Sequence, residues 1–167
     1  MKPEAGKTVS LVVAMDEGGL IGRQNQLPWR LPDDLKHFRR VTLGKTVLMG
    51  RKTFDSMGKA LDGRDNWVLT RDPAFRAEGC RVFTDLRTAL SAHREGELMV
   101  IGGSHVFNEA LPLARRIYLT RVHARLDGDV RFPALDLGQW RASDRTEHAA
   151  DARHAYAFTF ETLERNG

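Results

Sequence analysis

A continuous apolar segment near the N-terminus constrains the fold more than any other feature. Residues 8–15 read TVSLVVAM, which has the length of a β-strand and no polar face. A strand of this kind has to be covered on both sides, and parallel sheets that carry helices on both faces provide that cover. The segment therefore predicts an α/β protein with this strand at the centre of its sheet.

Strand-like and helix-like segments alternate along the rest of the chain. We predict further strands at 45–49, 66–70, 80–84, 97–103 and 116–124, and helices at 33–42, 51–58, 85–95 and 104–111. Tyr156, Phe158 and Phe160 alternate with less apolar neighbours, which is typical of a half-buried final strand. The pattern predicts one α/β domain over residues 1–167, with a mostly parallel, twisted central sheet of about eight strands, an antiparallel C-terminal strand and about four flanking helices. Residues 1–7 are expected to form a flexible N-terminal extension.

Composition narrows the class of protein. The chain has 167 residues, a formal charge of +4 and scattered basic residues, which suits a small polyanionic ligand at least as well as nucleic acid. Its single cysteine, Cys80, excludes an internal disulfide and favours a reducing compartment. No apolar segment approaches transmembrane length, and no signal sequence is evident. We therefore expect a cytoplasmic protein that needs no membrane, and the six dispersed histidines indicate no metal motif.

Three predicted strands end in residues that suit anions. Gly102 and Gly103 follow one strand, the sequence GRKT at 50–53 follows a second, and Thr70 and Arg71 follow a third. Bare backbone N–H groups at a strand-to-helix junction can hold a pyrophosphate, and ligands of open α/β sheets bind at the carboxyl ends of the strands. The three junctions together predict a dinucleotide site that accepts an additional phosphate. A glycine pair alone is equally compatible with a tight turn, and GxGxxG is absent.

Two adjacent carboxylates stand at the start of a predicted helix, in LPWRLPDDLKHFRR at 27–40. Apolar residues recur on both sides of Asp33 and Asp34, and burying an ion without a partner costs several kcal/mol. Either both acids are solvated residues of the first helical turn, or one of them has a buried role.

Several motifs together resemble those of one enzyme family. LIGRQNQLPWRLPDDLKHF, VLMGRKTFDSMG, LDGRDNWVLTR, MVIGGSHVF, IYLTRV and GDVRFP follow in the order and spacing found in dihydrofolate reductases of the bacterial chromosomal type. The resemblance implies NADPH-dependent reduction of 7,8-dihydrofolate to 5,6,7,8-tetrahydrofolate, by hydride transfer to C6 and protonation at N5, in support of one-carbon metabolism. It also implies a monomer that diaminopyrimidine and diaminopteridine antifolates inhibit.

The resemblance assigns the substrate site residue by residue. The catalytic residues that it implies are Asp34, Trp29 and Leu27, with Asp34 in the place of the carboxylate that binds the pterin, whereas Asp33 is left as a solvated residue. A carboxylate suits this position because it accepts the adjacent N–H and amino groups of a pterin in one plane. Arg64 would bind the glutamate tail and Thr120 the pterin amino group through water. The remaining substrate-binding residues implied are Val12, Ala14, Leu35, Phe38, Met57, Leu61 and Ile101.

The resemblance also implies an NADPH site. Arg51 and Arg71 are the candidates for the 2′-phosphate, although some relatives have a small hydroxyl residue at the position of Arg71 and an arginine at that of His105. Phe107 stands where many relatives have tyrosine, and Gly102 and Gly103 match a pair that is joined by a cis peptide bond in the family. The full set implied is Ala14, Ile21, Gly22, Asn25, Gly50, Arg51, Lys52, Thr53, Leu69, Thr70, Arg71, Ile101, Gly102, Gly103, Ser104, His105, Val106 and Phe107.

Two other functions remain open at this point. A pyrimidine reductase of riboflavin synthesis shares the fold and NADPH, but its substrate has no glutamate tail for Arg64 to bind. A non-catalytic module that binds nucleic acid would account for the basic charge, but the chain lacks an RNP, KH or helix-turn-helix pattern.

Overall fold

The computed structural model describes residues 7–23 and 27–167, and one eight-stranded sheet organises them. The strands are β1 Lys7–Met15, β2 Leu20–Gly22, β3 Thr46–Gly50, β4 Asp65–Leu69, β5 Cys80–Phe83, β6 Gly96–Gly102, β7 Arg116–Val122, β8 Val130–Arg131, β9 Trp140–His148 and β10 Phe158–Arg165. The helices are α1 Pro32–Thr42, α2 Arg51–Met57, α3 Leu86–Ala92 and α4 Ser104–Ala110. The sheet order is β5-β4-β3-β6-β1-β7-β10-β9, and β2 pairs with β8 apart from it.

The fold class predicted from the sequence is confirmed. Strands β5 to β7 of this order run parallel, while β10 is antiparallel to both β7 and β9. Strand β1 lies between β6 and β7, with Leu11 paired to Val100 on one side and to Ile117 on the other. The apolar run that constrained the fold is thus an inner strand.

Both faces of the sheet are covered, as the apolar run requires. Leu11 and Val13 belong to the core beneath α3 and α4, whereas Val12 belongs to the core on the opposite face, which includes Phe54 of α2. Leu11 is fully buried. Because successive side chains point to opposite faces, every apolar residue of β1 packs into a core on one face or the other.

Strand β9 is the strand of the eight-stranded sheet that the sequence did not reveal, and the short pair β2 and β8 was not predicted either. The residues of β9, WRASDRTEH, are almost all exposed, and it pairs only with β10 at one edge of the sheet. Because neither of its faces is buried, the strand carries no apolar alternation that a pattern could detect. Lys7, which was placed in the N-terminal extension, is the first residue of β1 and pairs with Gly96.

None of the helices in residues 7–23 and 27–167 is long and apolar enough to cross a membrane.

Candidate active site

The carboxyl ends of four adjacent strands lie side by side at one end of the sheet, the position at which open α/β sheets form a ligand crevice. Four consecutive strands of the sheet run parallel, namely β4, β3, β6 and β1. Their C-terminal ends therefore lie at the same end of the sheet. Gly50 ends β3 and pairs with Leu69, the last residue of β4. Open α/β sheets bind their ligands at this end, outside the carboxyl ends of the strands.

Three glycines at the carboxyl ends of β3 and β6 allow the backbone to pass close to side chains of α2 and α4. A Cβ atom at Gly50 would lie 3.2 Å from Val106, and one at either Gly102 or Gly103 would lie 3.3 Å from the Thr53 hydroxyl. The peptide bond between Gly102 and Gly103 is cis, as the family resemblance implied. A side chain at any of the three would press on Val106 or Thr53 where α2 and α4 begin, and the glycines leave the backbone there bare.

Asp34 lies in the first turn of α1 and faces β7. The hydroxyl of Thr120 donates a hydrogen bond of 2.7 Å to Asp34 Oδ1. Burial raises the pKa of Asp34, and the hydrogen bond from Thr120 offsets only part of that effect. Within the described residues, no lysine, arginine or histidine forms an ion pair with Asp34. The result is a carboxylate with one polar partner that binds a proton more readily than an ordinary aspartate.

The apolar residues around Asp34 differ in exposure. Trp29 is 7% exposed, and its Nε1–H is buried without a hydrogen-bond partner among the residues that the structure describes. Leu27 and Leu35 are 53% and 56% exposed. Side chains so open to water contribute little to the desolvation of Asp34. Large exposed apolar side chains instead suit contact with a ligand.

Arg64 is held at the C-terminal end of α1. Arg64 donates to the Asp62 carbonyl at 2.9 Å through Nε and to the Thr42 hydroxyl at 3.2 Å through Nη1. Thr42 is the last residue of α1, so Arg64 is fixed against the helix that carries Asp34. Phe38, Met57 and Leu61 are partly buried and pack against one core.

Asn66 holds the loop before β4 and was not singled out from the sequence. It is 1% exposed, accepts from Leu61 N at 2.8 Å and donates to the carbonyls of Leu61 and Arg64 at 2.9 and 3.0 Å. One asparagine thereby fixes the backbone of two predicted substrate residues. An isolated asparagine at a strand start gives no signal that distinguishes it from an ordinary turn residue.

Asp16 has the corresponding role in the loop after β1, and it too was missed. This residue is 4% exposed and accepts from the backbone N–H groups of Gly18, Leu20 and Leu126 at 2.8–2.9 Å. Burial alone would raise the pKa of Asp16, but these three donors lower it below its ordinary value. Asp16 thus anchors the segment that leads into β2, where Ile21 and Gly22 lie.

The predicted phosphate-binding cations differ in their surroundings. Arg51 stacks on Phe75, with its guanidinium carbon 4.1 Å from the ring centroid, and lies 3.3 Å from Asp55 and 3.7 Å from Asp72. Arg71 precedes Asp72 and is exposed, as is Lys52. His105 pairs with Glu109 on α4 at 3.0 Å.

The other predicted site residues are distributed along the same crevice. Ala14 lies near the end of β1 opposite Thr120, Ile101 precedes Gly102 on β6, and Phe107 is 3% exposed against Phe132. Thr70 follows β4, and Ser104 begins α4. Asn25 lies outside the described residues.

Asp33 is partly exposed to solvent, and it also pairs with two histidines that the sequence did not reveal. Its Oδ2 lies 2.9 Å from His148 Nε2 and 3.9 Å from His154 Nε2, and its backbone N–H donates to His154 Nε2 at 3.1 Å. The hydrogen bond from His148 is the largest of the effects that lower the pKa of Asp33. Both histidines come from the hairpin of β9 and β10, more than a hundred residues away, which is why no local pattern revealed them.

The chain is similar to known proteins over nearly its whole length. Residues 8–165 match the family model described as dihydrofolate reductase. The chain is 48% identical over 159 residues to a dihydrofolate reductase type 3 of Salmonella typhimurium, covering 94% of this chain and 98% of the relative. It is 42% identical over 159 residues to a dihydrofolate reductase of Haemophilus influenzae, covering 95% and 99% of the two chains.

A solved structure shows the same fold. Dihydrofolate reductase from Enterococcus faecalis, in complex with NADP(H) and RAB-propyl, superposes with a TM-score of 0.90 at 36% sequence identity. The match covers 96% of this chain and 97% of the other.

Proposed function

The chain belongs to the dihydrofolate reductase family, and we propose that its crevice catalyses the NADPH-dependent reduction of 7,8-dihydrofolate to 5,6,7,8-tetrahydrofolate. The observation that carries the proposal is the Asp34 carboxylate, which is partly buried beside Thr120 without an ion-pair partner in the described chain. A buried acid of this kind is costly to the fold, and a ligand that offers adjacent N–H groups repays that cost.

Asp34 orients the pterin ring of the substrate. Its carboxylate accepts the ring N–H and the neighbouring amino group in one plane, and Thr120 bonds the carboxylate from the opposite side. Trp29 presents a buried N–H that is free to bind a water or a ligand oxygen beside the ring. Water protonates N5 with the assistance of Asp34, and such general acid assistance contributes about 10²–10⁴-fold to a rate.

Arg64 and the apolar residues near it bind the rest of the substrate. The planar guanidinium of Arg64 is already fixed by Asp62 and Thr42, so it can bind the α-carboxylate of the glutamate tail with little loss of side-chain freedom. Phe38, Met57 and Leu61 lie between Asp34 and Arg64 in the proposed site and contact the aminobenzoyl ring.

Three glycines in the crevice support the binding of a dinucleotide. Gly50, Gly102 and Gly103 keep the backbone bare where α2 and α4 begin, and both helix starts follow strands that end at the same edge. When NADPH is bound, its nicotinamide supplies the hydride that C6 of dihydrofolate receives. Ala14 and Ile101, on neighbouring strands, flank the place where the nicotinamide and the pterin meet.

Arg51 and Arg71 bind the 2′-phosphate in this proposal, and His105 provides the third candidate. The guanidinium of Arg51 is held over Phe75 and between the carboxylates of Asp55 and Asp72, so a phosphate replaces weak pairs between exposed groups. Lys52 and Thr53 lie at the same helix start and bind the pyrophosphate.

The broader assignments rest on the family as well. We expect a single domain over residues 1–167 that works as a cytoplasmic monomer and needs neither nucleic acid nor a membrane. Diaminopyrimidines and diaminopteridines should inhibit it, because their protonated rings pair with the Asp34 carboxylate.

The direct test follows absorbance at 340 nm with NADPH and dihydrofolate, with and without a diaminopyrimidine. We expect oxidation of NADPH that requires dihydrofolate and that the inhibitor abolishes. Tight NADPH binding without turnover of dihydrofolate would contradict the proposal and favour a pyrimidine reductase.

A further inference from the structure

Three metal-ligating side chains meet at the start of α1, outside the crevice. Asp33 comes from the first turn of the helix, His148 ends β9, and His154 lies in the segment before β10. One donor atom from each lies within 4.8 Å of the other two, and Asp33 Oδ2 is 2.9 Å from His148 Nε2 and 3.9 Å from His154 Nε2. The reduction of dihydrofolate assigns no role to this cluster.

Hydrogen bonds fix the orientation of both imidazole rings. Nδ1 of His148 donates to the Ala149 carbonyl at 2.7 Å, and Nδ1 of His154 donates to Asp151 Oδ1 at 2.8 Å. With both Nδ1 atoms occupied, both Nε2 atoms are directed at Asp33. Histidines that ligate a metal have this arrangement, in which the other ring nitrogen donates to a carboxylate or a backbone carbonyl.

We propose that Asp33, His148 and His154 form a binding site for a divalent transition-metal ion, with Zn²⁺ as the best match. Two imidazole nitrogens and one carboxylate oxygen are the donors that zinc prefers, at about 2.0–2.2 Å in a tetrahedral arrangement. In a tetrahedral arrangement, donors at these bond lengths lie about 3.3–3.6 Å apart. The observed separations of 2.9 and 3.9 Å lie outside this range by about 0.3–0.4 Å, and the third, which is within 4.8 Å, has to shorten by about 1.2–1.5 Å at most.

Exposure of the cluster allows an ion to enter and to keep a water ligand. His154 is 1% exposed and forms the floor of the site, whereas the side chains of His148 and Asp33 are 25% and 34% exposed. The fourth tetrahedral position therefore faces solvent, as in zinc sites that retain a bound water.

The ion has to replace two existing interactions. It takes the place of the proton between His148 Nε2 and Asp33 Oδ2, and it displaces the Asp33 N–H from His154 Nε2. That N–H belongs to the first turn of α1, where water can satisfy it. These costs and the absence of a fourth protein ligand from the cluster as described predict weaker binding than in a closed structural zinc site.

Binding would link three segments that are distant in the sequence. The ion would connect α1 to the end of β9 and to the turn before β10, and it would stabilise the folded chain in proportion to its occupancy. This consequence concerns the fold alone, so its test succeeds or fails independently of the proposed reductase activity.

The test titrates ZnCl₂ into the metal-free full-length protein in a calorimeter. We expect one ion per chain with a dissociation constant below about 100 µM, together with a rise in Tm. His148→Gln and Asp33→Asn should each weaken binding at least about tenfold, because each removes one of three ligands. Both residues are partly exposed, so these variants avoid the fully buried His154.

His123→Gln provides the matched control, because His123 is exposed and its side chain bonds only Thr159 Oγ1 among the interactions described. Its zinc affinity should equal that of the unchanged protein. Co²⁺ provides a second readout, since tetrahedral coordination gives it intense visible absorption that His148→Gln should abolish. No binding at about 100 µM zinc, or equal binding by all three variants, would overturn the proposal and leave the cluster as an ion pair and helix cap only.

Discussion

Replacement of Arg64 by leucine should weaken the binding of dihydrofolate without disturbing the fold. The guanidinium uses two of its five N–H donors on Asp62 and Thr42, so three remain for the glutamate tail. The Thr42 hydroxyl still donates to the Phe38 carbonyl at 2.8 Å after the change. Leucine keeps much of the apolar stem of arginine and leaves no buried polar group unpaired.

The magnitude follows from the two hydrogen bonds that a carboxylate can accept from a planar guanidinium. Each such bond to a charged group contributes about 1.5–3 kcal/mol, and the partial exposure of Arg64 to water favours the lower end. Two bonds at about 1.5 kcal/mol give roughly 3 kcal/mol, which corresponds to an increase in KM of about a hundredfold. The value of kcat should change little, because the tail lies far from C6 and its contacts are made equally in the ground state.

The assay compares dihydrofolate with dihydropteroate, which has no glutamate tail, at saturating NADPH. Arg64→Leu should raise the KM for dihydrofolate about a hundredfold and leave that for dihydropteroate within about threefold. Arg39→Leu is the control, since Arg39 is an exposed arginine on α1 that acts on Arg64 only through its charge. An unchanged KM for dihydrofolate, or equal losses with both substrates, would refute the assignment of the tail to Arg64.

Three further perturbations test the site and the fold. Asp34→Asn should lower turnover of dihydrofolate at neutral pH by about 10²–10⁴-fold while leaving NADPH binding, followed by fluorescence, unchanged; near-normal turnover would contradict the role of Asp34. Asp85 accepts from Thr88 N at 2.7 Å and caps α3, so Asp85→Ala should lower Tm by about 2–4 °C, whereas Asp85→Asn should retain most of the stability. Burial raises the pKa of Glu97, but hydrogen bonds from Lys45, Ser10 and Tyr118 more than offset that effect and leave the pKa below its ordinary value. The ionised Glu97 therefore stabilises the fold above the pKa of the unfolded chain, about 4.3, and this contribution is lost as the pH falls through the lower folded pKa. The difference in Tm between the unchanged protein and Glu97→Gln should consequently shrink below about pH 4, and a constant difference would contradict the assignment.

Patterns of burial determined which strands and helices could be predicted. Residues 8–15 gave the central strand because every apolar side chain there packs into a core on one face or the other. Strand β9 gave no signal because its side chains face water on both sides and backbone pairing with β10 alone defines it. Apolar periodicity arises in segments that pack against the core, and an exposed edge strand does not pack against it.

The site divides in the same way between local and long-range signals. Asp34, Arg64 and the glycine pair could be assigned because each lies in a short motif that also sets the local backbone. Asp16 and Asn66 act on loop backbone several residues away, and single polar residues next to turns are too common to be distinctive. The partners of Asp33 come from the opposite end of the chain, so only the three-dimensional structure brings them together.

Transfer of the label from NADPH deuterated at C4 provides the most direct test of the central claim. The purified protein is incubated with this NADPH and dihydrofolate, and the product is analysed by NMR and mass spectrometry. The proposed reaction predicts tetrahydrofolate that carries one deuterium at C6, and Asp34→Asn should form it far more slowly. Oxidation of NADPH without deuterium at C6, or no oxidation in the presence of dihydrofolate, would contradict the assignment of this crevice to dihydrofolate reduction.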